Sequence, residues 1–342
     1  MARRRRNPEI AARRHGRARR NRPPAGWPRL EGGAGAKGTG AGRVVALTAA
    51  RRRAAARRRL AAPPRPSTQH PRREAEVSAI DFHLASCVAC ARAGGRVLMD
   101  YWGKRGTYAI HEKGRNDFVT VVDREAEEAI VRLVRARFPD HAIEAEESAP
   151  REGTVGFRWY IDPLDGTTNF IHGYPLFSVS VGVADPQGMR AAAVFDPLRS
   201  EMFTAARGRG AFLNGEPIRV SGAEKLSRAL LVTGIPFRSL DRLDPYLASF
   251  RAFILGASGI RRDGSAALNL AYVACGRYDG FWEMSLSSWD VAAGSLIVRE
   301  AGGVVSDFLG RSGYLESGDI IAATPEVHPS MLRIVRESYR QE

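Results

Sequence analysis

Residues 158–177 read RWYIDPLDGTTNFIHGYPLF, and this stretch decides the fold. The short apolar run Trp159, Tyr160, Ile161 predicts a buried strand that Pro163 ends. Asp162 and Asp165 then stand where the chain leaves a sheet. Two carboxylates held that close repel each other unless a cation lies between them. Hard divalent ions such as Mg2+ take oxygen ligands and keep positions open for water and phosphate. Gly166, Thr167 and Thr168 follow at a helix start, with backbone N–H groups and a hydroxyl suited to an anion. Carboxylate pair followed by anion seat points to metal-assisted phosphate chemistry. A lone Asp-Pro-x-Asp reads more simply as a turn; the Asp-Gly-Thr-Thr behind it and further carboxylates elsewhere outweigh that reading.

On the N-terminal side, residues 78–101 predict an amphipathic helix, with Ile80, Leu84, Val88, Ala91 and Leu98 at three- and four-residue spacings. Residues 103–114 read as turns. A short apolar segment, 118–122, leads to Asp123, from which a second helix runs to Phe138 before Pro139. Residues 141–144 read as a strand leading into Glu146-Glu147-Ser148. On the C-terminal side, 177–184, 191–195 and 201–205 read as antiparallel strands between turn signals, with Asn214-Gly215 as a tight turn. Strands at 230–233, 278–284, 304–308 and 320–323 then alternate with helices at 246–255, 266–274, 291–301 and 327–339. The pattern predicts a layered α/β sandwich in which helices cover two sheets.

The chain has 342 residues and a formal charge of +15, with 52 Lys/Arg and 37 Asp/Glu. The charge is unevenly spread. Residues 1–75 hold 22 basic and 3 acidic residues, a net of +19, which leaves the remainder with 30 and 34, a net of −4. The basicity therefore says nothing about a nucleic-acid surface on the globular part. Residues 1–76 are Arg/Ala/Pro/Gly-rich and are expected to be a disordered extension. An RNA- or polyanion-binding arm, an organelle transit peptide, and a misassigned start with translation beginning near Val77 are the readings considered; the last, or an inert extension, is preferred. Three cysteines, Cys87, Cys90 and Cys275, cannot build a disulfide framework, and a cytoplasmic setting is expected. Cys87 and Cys90, one turn apart on an Ala-rich helix, read as small core residues. No apolar run is long enough to span a membrane.

Glu146, Glu147, Asp123 and Asp290 add acidic positions, each with an ordinary alternative as surface charge or helix cap; spacing alone does not bring them together. Four motifs in order carry a resemblance: Asp117-Phe-Val-Thr-Val-Val-Asp123, Glu146-Glu147-Ser148, Ile161-Asp-Pro-Leu-Asp-Gly-Thr-Thr-Asn-Phe170 and Trp289-Asp290-Val-Ala-Ala-Gly294, with Arg261-Arg262-Asp263-Gly264-Ser265-Ala266-Ala267-Leu268 and Glu300-Ala-Gly-Gly303 besides. Over roughly 78–340 the chain resembles the inositol monophosphatase family of Mg2+-dependent, lithium-sensitive phosphatases.

The resemblance implies an α-β-α-β-α sandwich over 77–342, like that of inositol monophosphatases and fructose-1,6-bisphosphatases. It implies two or three Mg2+ ions held by Glu146, Asp162, the Leu164 carbonyl, Asp165 and Asp290. Thr167, hydrogen-bonded to Asp123, would orient the attacking water; Glu147 would support the site and Lys113 balance its charge. Gly166 and Thr167 would hold phosphate oxygens, and Asp165, Arg261, Gly264, Ser265, Ala266, Glu283 and Asp290 would contact the substrate. Where relatives often carry Thr before the position of Asp123, this chain has Val122, which removes one hydrogen bond. The expected activity is hydrolysis of a polyol phosphate monoester, myo-inositol 1-phosphate foremost, by a cytoplasmic homodimer. The alternatives are histidinol phosphate, fructose 1,6-bisphosphate or a 3′-phosphoadenosine nucleotide as substrate, or an RNA-binding role through the tail.

Overall fold

The structure, a computed structural model, describes residues 70–339 apart from 105, 115, 116 and 238. The expectations for 1–69 and 340–342 lie outside the described residues. Helix α1 spans His70–Tyr101, starting eight residues before the periodic apolar pattern because the Arg, Glu and Ala residues ahead of it are good helix formers. Strands β1 (Ile110–Gly114) and β2 (Asp117–Thr120) form a hairpin, so part of the predicted turn region is strand. Helix α2 (Val121–Arg137) begins at the N-cap Thr120, and Asp123 closes a reciprocal capping box with it.

Strands β3 (Ala142–Ala145) and β4 (Arg158–Asp165) pair in parallel. Pro163 does not end β4: the strand continues to Asp165, and the pairing register slips between Asp162 and Asp165. A proline cannot donate to the ladder, so the strand bulges there instead of stopping. The short helix α3 (Thr167–His172) follows. Strands β5 (Ser178–Asp185), β6 (Gly188–Asp196), β7 (Glu201–Ala206), β8 (Ala211–Leu213) and β9 (Glu216–Ile218) complete an antiparallel meander. The resulting seven-stranded sheet has the order β3-β4-β5-β6-β7-β8-β9.

The second half contains β10 (Leu230–Thr233), α4 (Leu243–Gly256), β11 (Gly259–Arg261), α5 (Ala266–Ala274), β12 (Gly280–Glu283), α6 (Ser288–Glu300), β13 (Val304–Ser306), α7 (Tyr314–Ser317), β14 (Ile320–Ala323) and α8 (His328–Tyr339). Its five strands are ordered β11-β10-β12-β14-β13. Three apolar clusters define the layering. One joins α1 and α2 to the first sheet through Leu98, Ile130, Trp159 and Val181. A second sandwiches α5 and α6 between the sheets through Phe203, Leu270, Ile297 and Phe281. The third joins α4 and α8 to the outer face of the second sheet through Phe253, Trp282 and Met331. The order is therefore α-β-α-β-α, as expected. Phe177 and Phe281 are completely buried, and each such side chain contributes roughly 1.5–3 kcal/mol of hydrophobic stabilisation. No described helix is long and apolar enough to cross a membrane.

Candidate active site

The carboxyl end of β4 and the amino ends of α5 and α6 open into one cavity of about 550 Å3. Glu146, Asp162, Asp165 and Asp290 line it, together with Leu164, Gly166, Thr167, Gly264, Ser265, Ala266 and Glu283. Residues far apart in the chain meet because β3, β4 and β12 end at this edge and α5 and α6 begin there.

Asp162 is 2 % exposed and accepts a hydrogen bond from the Leu164 N–H at 3.0 Å. Burial pushes its carboxyl well above the usual carboxylate range, and repulsion from Glu146, Asp165 and Asp290 pushes it further. Asp165 faces the start of α5: its carboxylate accepts from Ser265 Oγ at 2.5 Å, Ala267 N at 2.8 Å and Ala266 N at 3.1 Å. Burial raises its proton affinity and these donors offset part of the rise. Asp290 occupies the third position of α6, accepting from the Ser287 N–H at 2.7 Å. Among the described residues, no three His, Cys, Asp or Glu side chains are drawn together into a metal shell. Glu146, Asp165 and Asp290 are nevertheless near enough to Asp162 to raise its proton affinity. The donor set is all carboxylate and carbonyl oxygen, with lone pairs still uncommitted on Asp162 and Asp165. It fits a hard dication and not a thiophilic metal.

Behind these carboxylates a chain of hydrogen bonds links Thr120, Asp123 and Thr167. Asp123 is fully buried and accepts from Thr120 N at 2.8 Å, Thr120 Oγ1 at 2.6 Å and Thr167 Oγ1 at 3.1 Å. Burial raises its carboxyl above the ordinary range, and the Thr120 and Thr167 hydrogen bonds offset part of the rise. Thr120 thus supplies two hydrogen bonds despite the valine at 122. The Thr167 hydroxyl also lies 3.0 Å from the Leu164 carbonyl, a second acceptor for its proton. Gly166 adopts φ 102°; a Cβ there would sit 3.2 Å from the Leu176 carbonyl and 3.3 Å from that of Gly264, so only glycine fits. Since α3 has six residues, an anion at its start would rely on the individual N–H groups more than on a macrodipole.

Not every expected residue reaches the cavity. Arg261 is the last residue of β11, is exposed, and donates to the Ile260 carbonyl at 3.2 Å. Arg262 lines the cavity instead, with its guanidinium 5.5 Å above the Phe237 ring. Consecutive residues in extended chain point to opposite sides, and the pair Arg261-Arg262 does not announce which one faces in. Glu147 is not among the lining residues; its backbone N–H is held by Glu127 Oε2 at 2.7 Å. The Lys113 side chain lies outside the described residues. Two further residues contribute that local sequence pattern does not mark. Glu127 is 4 % exposed, and its i,i+4 spacing from Asp123 on α2 was the available signal. Asn169 donates to the Leu176 and Asp263 carbonyls at 2.7 and 2.8 Å, clasping α3 to the loop before α5; its place in the Asp-Gly-Thr-Thr-Asn run was the only hint.

A five-layer α/β sandwich with buried acids lining one cavity at the ends of its strands and helices defines a phosphatase-like architecture. The chain belongs to the inositol monophosphatase family: residues 79–340 match that family's model, and the family is one of generally Mg2+-dependent phosphatases. Over 258 residues it is 49 % identical to the Nus factor SuhB of Pseudomonas aeruginosa, covering 74 % of this chain and 95 % of the relative. Among solved structures, the extragenic suppressor protein suhB of Bartonella henselae superposes with a TM-score of 0.72 at 39 % identity, covering 75 % of this chain and 99 % of the other. The inositol monophosphatase of Anabaena sp. gives 0.68 at 35 % identity, covering 76 % and 97 %.

Proposed function

We propose that this chain hydrolyses the phosphate monoester of a polyol, with myo-inositol 1-phosphate as its substrate. The observation that carries this reading is Asp162, buried and repelled by Glu146, Asp165 and Asp290, in a cavity that Glu283 also lines. Glu146, Asp162, Asp165, Asp290 and the Leu164 carbonyl would hold two or three Mg2+ ions. Bound there, Mg2+ supplies charge neutralisation for the phosphate and acidifies a coordinated water.

The chain's own residues divide the remaining work. Gly166 and Thr167 present N–H groups to the phosphate oxygens. The Thr167 hydroxyl, giving its proton to Asp123, directs its lone pairs at the attacking water and orients it; Asp123 provides the basic end of that relay. Glu283 accepts hydrogen bonds from ring hydroxyls. Among the described residues, Arg262 is the one cationic side chain lining the cavity, fewer than a bisphosphate or nucleotide pocket calls for, and this favours a monophosphate. Phosphate release from myo-inositol 1-phosphate, compared with histidinol phosphate, fructose 1,6-bisphosphate and a 3′-phosphoadenosine nucleotide, with Mg2+ and with a chelator, tests the reading. Highest kcat/KM on the inositol ester supports it; no Mg2+-dependent release from it counts against it.

The Nus factor name of the Pseudomonas aeruginosa relative favours a second reading, in which the chain acts as a protein factor without catalysis. Separately from that name, the +19 segment 1–75 would bind a polyanion such as RNA with steep salt dependence. Unchanged RNA affinity after its deletion removes this reading. The proposal assigns catalysis to 77–342, so the same deletion leaves phosphate release in place.

A further inference from the structure

The parallel pairing of β10 with β12 sets Leu231 beside Gly280, Val232 beside Phe281 and Thr233 beside Trp282. One step on, this register places Gly234 beside Glu283. Neighbours across a parallel pair project to the same side of the sheet, so a side chain at 234 would share its space with that of Glu283. It would do more than crowd it. A Cβ built on the buried Gly234 overlaps the Cδ and both carboxylate oxygens of Glu283. The carboxylate is seated on the bare glycine backbone.

Gly234 is not among the positive-φ glycines, so its conformation is open to any residue. What the site uses is the missing side chain. The backbone there has little room to retreat. Thr233 Oγ1 donates to the Trp282 carbonyl at 2.7 Å, Thr233 is fully buried, and the following Ile235-Pro236 segment, which lines the cavity, is conformationally restricted by the proline. The movable partner is the flexible end of Glu283.

We infer that Gly234 is a positioning residue, the seat that holds the Glu283 carboxylate against the cavity wall where it reads the hydroxyls of the substrate's organic group. The inference rests on the phosphatase reading above and assigns hydroxyl discrimination to a residue that never touches substrate. An alanine at 234 unseats the carboxylate while the core stays packed.

The test measures, in the full chain, the ratio of kcat/KM on myo-inositol 1-phosphate to that on para-nitrophenyl phosphate, which has no ring hydroxyls. Gly234→Ala lowers the ratio by ~10-fold or more, the scale of one lost hydrogen bond to a charged group. Glu283→Ala lowers it similarly, and adding Gly234→Ala to Glu283→Ala lowers it no further, because the space is already empty. An unchanged ratio in Gly234→Ala, or a further fall in the double variant, overturns the inference. Melting temperatures cover a folding defect: the double variant melts with Glu283→Ala, and a Gly234→Ala defect that persists in that background also overturns it. Wild-type protein that releases phosphate from neither ester brings down the phosphatase reading as well; wild type active on both with no shift in the ratio brings down only the role of Gly234.

Discussion

Asp123→Asn separates the proposed hydroxyl relay from the proposed metal ligands. The aspartate presents Oδ2 to two Thr120 donors, at 2.8 and 2.6 Å, and Oδ1 to the Thr167 hydroxyl at 3.1 Å. Asparagine keeps one acceptor oxygen, which the two Thr120 donors retain, and turns an NH2 group toward Thr167. The Thr167 hydroxyl then receives a hydrogen bond where it had given one, and its proton passes to the Leu164 carbonyl at 3.0 Å. Its lone pairs are engaged and the basic end of the relay is gone. The expected loss is ~10²–10⁴-fold in kcat, the usual worth of a positioned general base. Loss of a negative charge near the start of α2 is offset by relief of a buried charge. The melting temperature therefore moves by no more than the ~2–4 °C that 1 kcal/mol produces in a domain of this size. Phosphate release at saturating Mg2+ and a thermal melt decide it. Activity within about threefold of wild type, a difference too small for loss of a transition-state interaction, or loss of the Mg2+ response along with activity, refutes the relay.

Three further outcomes follow from separate parts of the molecule. Gly166→Ala places a Cβ against the Leu176 and Gly264 carbonyls at φ 102°, so it lowers stability by roughly 1–3 kcal/mol and depresses turnover, measured by denaturant melts and initial rates. Arg262→Gln raises KM for the phosphate ester, whereas Arg261→Gln leaves it unchanged; equal effects would contradict the placement of the two guanidiniums. His141 accepts from Trp159 Nε1 at 3.0 Å between the Phe138 and Phe157 rings, and burial, with neighbouring His83, pushes its pKa down to about 4. The unfolded chain takes up this proton near pH ~6.5 and the folded chain resists, so the contribution is present above that pH and is lost as pH falls toward 4. Melting temperature falls across that window, and His141→Phe flattens the slope.

The sequence made the site's core readable where chemistry and local pattern coincide. Asp162, Asp165 and the Gly-Thr-Thr behind them sit at a strand end, and the strand is apolar enough to stand out. The residues 201–205 and 320–323 are strands for the same reason. What local pattern did not reveal has local causes. Pro163 reads as a stop, yet the neighbouring strands keep β4 paired past it through a bulge. β1 is short and polar and forms only by pairing with β2, and β11 is three residues long and depends on β10, which lies on the other side of α4 in the chain. The orientation of Arg261 against Arg262 depends on the face of β11 that meets the cavity. Gly234 is one glycine among 35 until the β10–β12 register sets it beside Glu283.

The central claim is that Glu146, Asp162, Asp165 and Asp290 act together as one dication site. A thermal melt of the full chain against Mg2+ concentration, repeated for Asp162→Asn, tests it most directly. At ~100 times the dissociation constant, Mg2+ stabilises wild type by ~2.7 kcal/mol, a rise of about 5–10 °C at this domain size. Asp162→Asn melts higher than wild type without metal, since it removes the buried charge that the other three repel, and it shows no Mg2+ rise. A wild type indifferent to Mg2+, or an Asp162→Asn variant that keeps the full rise, contradicts the account.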